Sequence, residues 1–276
     1  MGMAYHIQML PRAVVARHKR CGTQCLVYDS LITNLAEFFA VFDTLLTGDS
    51  PFWFRGHSKY TYDLIPSVLR HDEEADRNCA IELLADFRRN AQIKLQKPPG
   101  VGDELGWLQL AQHYGLGTRL LDWTENAAVA LYFACQSPRD GSEIDGNVFI
   151  LNPIDLNREV APKKPRVFDA QVDCDIIAPY LRLTGRIWNR GRRTVAIYPI
   201  WNSERIVLQK GAFTLHGSKR RALDSKQAPS LVRIPILAEH KRSLLLELDR
   251  IGISEQTIFP ELEHLCHHLI QKARLG

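Results

Sequence analysis

The chain has 276 residues, a formal net charge of +4, 45% hydrophobic residues and 24% charged residues. That length can bury a full hydrophobic core, and the composition is ordinary for a soluble globular protein. No apolar run reaches the roughly 18 to 20 residues of a membrane span. The first residues also lack the basic start and apolar core of a signal peptide. We therefore expect a cytoplasmic protein with no membrane partner.

The cysteines and histidines do not form a recognisable metal motif. Six cysteines lie at positions 21, 25, 79, 135, 174 and 266 without the spacing of a disulfide framework, so reduced thiols are expected. His264 and His268 lie one helical turn apart and could bind a metal on one face. Amphipathic packing beside the neighbouring leucines is the favoured interpretation, and we predict no metal site.

In the first half of the chain, helical periodicity dominates. Short apolar segments predict strands at Phe52–Phe54 and Thr118–Leu121. The predicted helices are 31–46, 76–96, 107–113 and an apolar helix that starts at Asn126.

Past Pro153 the pattern changes to strands. A helix is predicted over His240–Ile251, with Gly252 as its cap, and a last helix begins at Phe259. One strand is predicted just before Pro153, at 147–151. The strands predicted after it are 194–198, 206–208, 212–215 and 231–236. Helices in the first half and strands in the second predict an α+β fold, with helices concentrated in the N-terminal half.

Two polar segments interrupt these apolar elements. The segment Gln112–Thr124 gathers polar side chains around two glycines immediately before the apolar helix. Upstream, the apolar strand at Phe52 ends in Arg55, Gly56 and His57. Buried donors and acceptors need partners, so chains tolerate such arrangements mostly at functional sites.

Each of these residues also has a structural interpretation. Arg55 could pair with Asp122 in the core, and Asp122 could cap the following helix. Trp123 is typical of packing, and His113 could be a satisfied core histidine. Thr118 and Arg119 are ambiguous because a buried arginine needs a partner.

Together the two segments resemble the FRG domain, a bacterial and phage-associated module named for its Phe-Arg-Gly triplet, here Phe54-Arg55-Gly56. The resemblance continues through Gln112–Thr124 and 145–149 to Gly252 and Phe259, and so spans about residues 35 to 270. It implies one FRG domain over residues 31–276, preceded by an N-terminal extension over residues 1–30.

The order of the motifs is also similar to that of the ADP-ribosyltransferases. Arg55-Gly56 takes the place of their first strand motif, Asp122–Thr124 that of their second and Glu204–Phe213 that of their third. The resemblance implies a split β-sheet core and NAD as substrate. Its implied NAD-binding residues are Arg55, Gly56, His57, His113, Tyr114, Thr118, Arg119, Trp123, Thr124 and Gln209.

The chemistry of NAD cleavage fits these residue types. An arginine can fork onto a phosphate, and a glycine lets the backbone approach a carboxamide. We therefore expect Gly56→Val to abolish activity and leave the fold intact. A carboxylate stabilises the oxocarbenium-like transition state. The predicted catalytic residues are Glu204, as the acid, with Arg55 and Asp122. The position that holds glutamate in the third motif of the family falls on Arg205, one residue from Glu204. Gln209 and Asp122 are therefore the alternatives for this role.

A basic stretch follows in the second half. Clustered arginine with an interleaved aromatic suits phosphate contact and base stacking, although a solvated face is the alternative. The predicted nucleic-acid-binding residues are Arg186, Trp188, Arg190, Arg192 and Arg193.

The predicted function is an ADP-ribosyltransferase of a toxin or phage-defence system that modifies nucleic acid or protein, with an antitoxin or chaperone as partner. The alternative is a non-catalytic nucleotide- or nucleic-acid-binding module.

Overall fold

The computed structural model describes residues 13–17, 24–28, 31–46, 50–70, 74–137, 143–181, 193–201, 203–217, 222–223 and 231–275. In chain order the elements are β1 (Ala13–Arg17), β2 (Gln24–Tyr28), α1 (Leu35–Leu45), β3 (Trp53–His57), α2 (Glu74–Ala91), α3 (Glu104–His113), β4 (Leu120–Thr124), α4 (Ala127–Cys135), β5 (Gly146–Leu151), α5 (Pro153–Arg158), α6 (Cys174–Leu181), β6 (Val195–Ile197), α7 (Glu204–Leu208), β7 (Gly211–Leu215), β8 (Val232–Ile236), α8 (Ala238–Arg250), α9 (Glu255–Ile258) and α10 (Leu262–Leu275). In this part of the chain, no helix combines the length and apolarity needed to cross a membrane.

The strands form one sheet in the order β1-β2-β8-β5-β3-β4-β7-β6. From β8 to β6 every neighbouring pair is antiparallel, whereas β2 pairs with β8 in parallel. The predicted mixture of helices with a sheet is confirmed. Strands β1 and β2 lie within the segment predicted as an N-terminal extension, so that segment contributes to the sheet. The division of the chain at residue 30 stays a prediction.

The predicted concentration of helices in the first half is wrong, because α5 to α10 all follow residue 150. The clearest case is α7, where three consecutive apolar residues predicted a strand. Ser203 caps this helix by accepting a hydrogen bond from the backbone N–H of Ile206 at 3.3 Å. The cap favours a helix here, because the first backbone N–H groups of a helix have no partner within the helix and the serine side chain accepts a hydrogen bond from one of them.

Helix α4 is the centre of the fold. It is apolar on every side, and most of its residues are buried. One side packs on β3 and β5, another side packs on α8, and Phe54, Ile150 and Leu244 belong to the same core cluster as the helix. The start of α4 is fixed by Asn126, whose side chain accepts a hydrogen bond from the N–H of Ala128 at 3.0 Å.

Two glycines allow α4 to lie directly against the strands. A Cβ atom at Gly56 would lie 1.9 Å from the carbonyl oxygen of Ala130 and 2.6 Å from the nitrogen of Ala134. A Cβ atom at Gly146 on β5 would lie 2.4 Å from the carbonyl oxygen of Ala134. The prediction that a valine at position 56 leaves the fold intact is therefore wrong, because the backbone of α4 occupies the space that a side chain at this position would need.

Candidate functional site

A cleft of about 250 Å³ opens where β3 and β4 meet. Its walls come from β3, α3, β4, α4, α7 and β7, and its described lining residues are Phe54, Arg55, Gly56, Gln109, Gln112, His113, Asp122, Trp123, Thr124, Val129, Phe133, Arg205, Ile206, Gln209 and Phe213. Six elements from three separate parts of the sequence therefore converge on one concave surface, which is the usual form of a ligand site.

The cleft exists because β3 and β4 separate. In the described residues the two strands pair at one position, Phe54 with Thr124. On their other edges the strands are paired along their full length, β3 with β5 and β4 with β7. Arg55 spans the gap, since its Nη1 donates a hydrogen bond to the carbonyl oxygen of Asp122 at 2.5 Å. The same nitrogen lies 3.8 Å from Oδ2 of Asp122.

His57 fixes the plane of the Arg55 guanidinium. Nε of Arg55 donates to Nε2 of His57 at 2.9 Å, and Nδ1 of His57 lies 3.2 Å from the carbonyl oxygen of Tyr62. Because Nε2 accepts a hydrogen bond, the ring is neutral and its proton sits on Nδ1. Burial and the charge of Arg55 lower the pKa of His57 well below its usual value, in agreement with a neutral ring. Burial also lowers the pKa of Arg55, and the charge of Asp122 partly offsets this effect.

Helix α3 presents one polar face to the cleft. Gln109, Gln112 and His113 are three and four residues apart, which places them on the same side of the helix. Nε2 of Gln112 donates to Oδ1 of Asp122 at 2.7 Å, and the Thr118 hydroxyl bonds to the side-chain oxygen of Gln112. The carboxylate of Asp122 is therefore held by its neighbours although 61% of its side chain is exposed.

Helix α7 closes the cleft with Arg205, Ile206 and Gln209. The guanidinium carbon of Arg205 lies 4.6 Å from the centre of the Phe259 ring, which is a cation–π contact. Glu204 is exposed in the first turn of this helix and is not among the described lining residues. The structure therefore does not bring Glu204 to the cleft. Counting by strand alternation fails here because the segment is a helix.

His113 and Tyr114 face different surroundings. His113 lines the cleft, and its Nε2 lies 3.7 Å from Oε1 of Glu261. Burial and the charge of Arg205 lower the pKa of His113, while Glu261 acts in the opposite direction. Tyr114 caps the end of α3, is exposed, and packs against the His113 ring at 4.8 Å. Of this predicted pair, the structure places His113 in the cleft and Tyr114 outside it.

Trp123 connects the cleft to a buried polar network. Its indole Nε1 donates to the hydroxyl of Thr214 at 3.0 Å, and that hydroxyl lies 3.1 Å from Nε2 of His216. Nδ1 of His216 lies 3.3 Å from the hydroxyl of Thr194. Burial, and then the charges of Arg55 and Arg119, lower the pKa of His216 to about 3. His216 is therefore a neutral structural histidine beneath the cleft wall.

This buried histidine should make the fold sensitive to acid. The unfolded chain protonates His216 near its ordinary pKa of 6.5, whereas the folded chain resists protonation down to a pKa of about 3. The stabilisation is complete above pH 6.5 and is lost as the pH falls from 6.5 towards 3, by at most about 1.4 kcal/mol per pH unit. In urea titrations between pH 6 and pH 4, His216→Gln should show a shallower loss of stability than the wild type. His268→Gln, which removes a histidine outside this network, should keep the wild-type slope. Equal slopes for all three proteins would contradict this assignment.

Several predicted site residues lie away from the cleft or outside the described residues. Thr118 is buried and supports Gln112, and Arg119 is buried with a pKa that burial lowers to about 10. Thr124 lines the cleft, and its hydroxyl donates to the carbonyl oxygen of Gln209 at 2.5 Å. Arg193 is exposed, forms an ion pair with Glu159, and lies outside the cleft. The other predicted nucleic-acid-binding residues lie outside the described residues: Arg186, Trp188, Arg190 and Arg192.

Potential metal ligands come together at one place in the described part of the chain, on α9 and α10. The ligand atoms of Glu255, His264 and His267 lie within 4.8 Å of one another. Nδ1 of His264 lies 2.7 Å from Oε1 of Glu255, and Nδ1 of His267 lies 3.6 Å from the same oxygen. These residues could hold an ion, although the contact between His264 and Glu255 accounts for their proximity without one. His268 is not part of the group.

Residues 50–143 match the sequence model of the FRG domain. The chain contains an FRG domain. No curated protein and no solved structure matches the chain.

The FRG match contains most of the cleft. It includes β3, α3, β4 and α4, and therefore Arg55, Gln112 and Asp122. Arg205, Gln209 and Phe213 come from α7 and β7, beyond the end of the match. The match is shorter than the span of about residues 35 to 270 over which the motifs resemble the family. Residues outside the matched segment are therefore needed to complete the wall of the cleft.

Sequence reasoning missed three polar residues that line the cleft, two on α3 and one on α7. Gln109 and Gln112 belong to α3, where their spacing from His113 was a usable signal, because residues three and four apart share a helix face. Arg205 was visible as the residue in the slot of the third motif. Arg205 reaches the cleft because α7 is a helix, and a segment of five residues is too short for a periodic pattern to predict one.

Proposed function

We propose that this protein is an NAD-dependent ADP-ribosyltransferase with its active site in the cleft between β3 and β4. The observation that supports this proposal most directly is the Arg55–Asp122 pair at the point where the two strands separate. An arginine and a carboxylate in one cleft combine a phosphate-binding group with a group that stabilises positive charge on a ribose ring. The separation of the strands also agrees with a split-sheet ADP-ribosyltransferase core.

The charges of the cleft suit a dinucleotide. Its described lining residues include two arginines, Arg55 and Arg205, and one carboxylate, Asp122. Within the described part of the chain, Nη2 of Arg55 makes no hydrogen bond and Arg205 has no ion-pair partner. Guanidinium groups with free donors bind phosphate oxygens strongly because the charged hydrogen bonds are short and can be bidentate. The pyrophosphate of NAD would take these donors.

Asp122 takes the catalytic position in this proposal. Cleavage of the bond between nicotinamide and ribose develops positive charge on the ribose, which a nearby carboxylate stabilises. The hydrogen bond from Gln112 fixes one oxygen of Asp122 and leaves the exposed carboxylate facing the cleft. Preorganisation of this kind lowers a barrier because no reorientation is needed during the reaction. Glu204, exposed outside the cleft, is not required.

The biological setting proposed is a toxin or phage-defence system, and the acceptor is a nucleic acid or a protein. The basic stretch around Trp188 supports a nucleic-acid acceptor because its arginines would contact phosphates. An antitoxin or chaperone would restrain such an activity in the cell.

The test is incubation of the purified protein with NAD labelled on its adenylate half. We expect release of nicotinamide and transfer of label to RNA, DNA or protein, and the labelled fraction identifies the acceptor. Arg55→Lys keeps the charge and loses the fork, so NAD affinity should fall at least about tenfold. Arg88→Lys is the matched control, since Arg88 is also a partly buried paired arginine, but it contacts Glu104 outside the cleft. An active Arg55→Lys variant would contradict the phosphate role.

The alternative function is a module that binds a nucleotide or a nucleic-acid end without chemistry. The specific observation in its favour is that Asp122 already has partners in Gln112 and Arg55, so its charge could serve to balance the arginine. Binding of NAD without release of nicotinamide under the same conditions would support this alternative and contradict the enzymatic proposal.

A further inference from the structure

Gln109 is an unusual residue in the wall of the cleft. It lies on α3, lines the cleft and is 2% exposed. Both polar atoms of its side chain, Nε2 and Oε1, are buried and have no hydrogen-bond partner among the described residues. A buried amide with neither its donor nor its acceptor satisfied is rare in folded proteins, because both groups lose their hydrogen bonds to water on folding.

The same chain shows how a structural amide is satisfied. Asn157 is also fully buried, and its Nδ2 donates to the carbonyl oxygens of Arg166 and Ala196 at 2.7 and 2.8 Å. Its Oδ1 accepts from the N–H of Ala196 at 2.8 Å. Asn157 therefore links α5 to β6, and both polar atoms of its side chain have hydrogen-bond partners. Gln109 makes no such link through its side chain among the described residues. Gln112, one turn away, uses both polar atoms of its side chain in hydrogen bonds with Thr118 and Asp122.

We propose that the side-chain amide of Gln109 is the contact that reads an amide-like edge of the bound ligand. Such an edge carries a donor beside an acceptor, as in an aromatic carboxamide or the edge of an adenine base. A glutamine meets it with two hydrogen bonds, because its Oε1 accepts from the ligand N–H while its Nε2 donates to the ligand acceptor. This inference rests on the proposed function for the nucleotide, and it adds the group that the cleft recognises.

The surroundings of Gln109 favour a flat ring carrying that edge. Aromatic side chains line the same cleft, among them Phe54, Trp123, Phe133 and Phe213. Rings of a ligand pack well against such side chains, and the arginines across the cleft take anionic groups. Apolar walls with a few placed polar groups are the common composition of a site that is specific for a small molecule.

The experiment uses Gln109→Met, which keeps the length of the side chain and removes both polar atoms. The melting temperature of the unliganded protein should rise by a few degrees, about 2–6 °C, because an unsatisfied buried amide is lost. Asn157→Leu is the matched control, and its melting temperature should fall because satisfied hydrogen bonds are lost. A fall in the melting temperature of Gln109→Met would overturn the proposal, since it would show that the amide supports the fold.

The second readout is binding, measured by calorimetry with NAD, nicotinamide and ADP-ribose. Gln109→Met should weaken NAD at least about tenfold. Loss of nicotinamide binding assigns the carboxamide as the group that is read, and loss of ADP-ribose binding assigns the adenine edge. A wild-type protein that binds none of the three ligands, or a variant that binds all of them normally, would overturn the proposal. These readouts do not depend on turnover, so failure of the enzymatic proposal is seen separately as NAD binding without nicotinamide release.

Discussion

Asp122→Asn should lower the rate of nicotinamide release by about two orders of magnitude and leave NAD binding nearly unchanged. The substitution keeps the shape of the side chain and an oxygen that can accept the hydrogen bond from Gln112, which is 2.7 Å long in the wild type. It removes the negative charge that the oxocarbenium-like transition state requires. Steady-state release of nicotinamide and a separate binding titration measure the two effects.

Glu204→Gln is the matched control for this experiment. It makes the same chemical change on an exposed residue of α7 outside the cleft, so the rate should stay within about twofold of the wild type. The opposite result, an inactive Glu204→Gln with an active Asp122→Asn, would show that the alignment of the third motif was correct and that the cleft carboxylate has another role.

Gly56→Ala should destabilise the protein by about 3 kcal/mol or more. The added Cβ would lie 1.9 Å from the carbonyl oxygen of Ala130, and this neighbour is helix backbone that cannot rotate away. The central strand and α4 would have to move apart, and the cleft lies beside both. Chemical denaturation of the purified variant, or its soluble yield if it does not fold, measures the effect.

Gly100→Ala tests whether the effect comes from contact rather than from loss of a glycine. A Cβ at Gly100 meets nothing within 4 Å, so this variant should unfold at nearly the wild-type denaturant concentration. A Gly56→Ala variant as stable as Gly100→Ala would mean that α4 does not approach β3 as closely as described.

Local signals in the sequence predicted many elements well. The helical spacing before Leu46 predicted α1, a continuous apolar run predicted β5, alternating apolar residues predicted β8, and the apolar segment that starts at Asn126 predicted α4. Each of these elements owes its structure to residues within its own segment, either through apolar periodicity or through a cap. The proximity of Arg55 and Asp122 was predictable from the two polar segments, because both follow or belong to apolar strands.

The remainder depends on contacts between distant segments. The sequence contains no sign that β3 and β4 pair at one position, and the cleft follows from that separation. The third motif was misplaced because apolar, β-branched residues favour a strand, whereas a serine cap and the packing of Ile206 make α7 a helix. The unsatisfied amide of Gln109 is visible only when its surroundings are known.

The order of strands in the sheet has a consequence for how much of the chain is needed to fold. The partner of β3 along most of its length is β5, and the partner of β4 is β7, and both partners follow residue 143. Helix α4 is likewise covered by α8, which begins at Ala238. Cut out of the chain, residues 50–143 would leave two strand edges unpaired and an apolar helix uncovered. The matched segment is therefore the centre of a sheet that the second half of the chain completes, and we do not expect it to fold on its own.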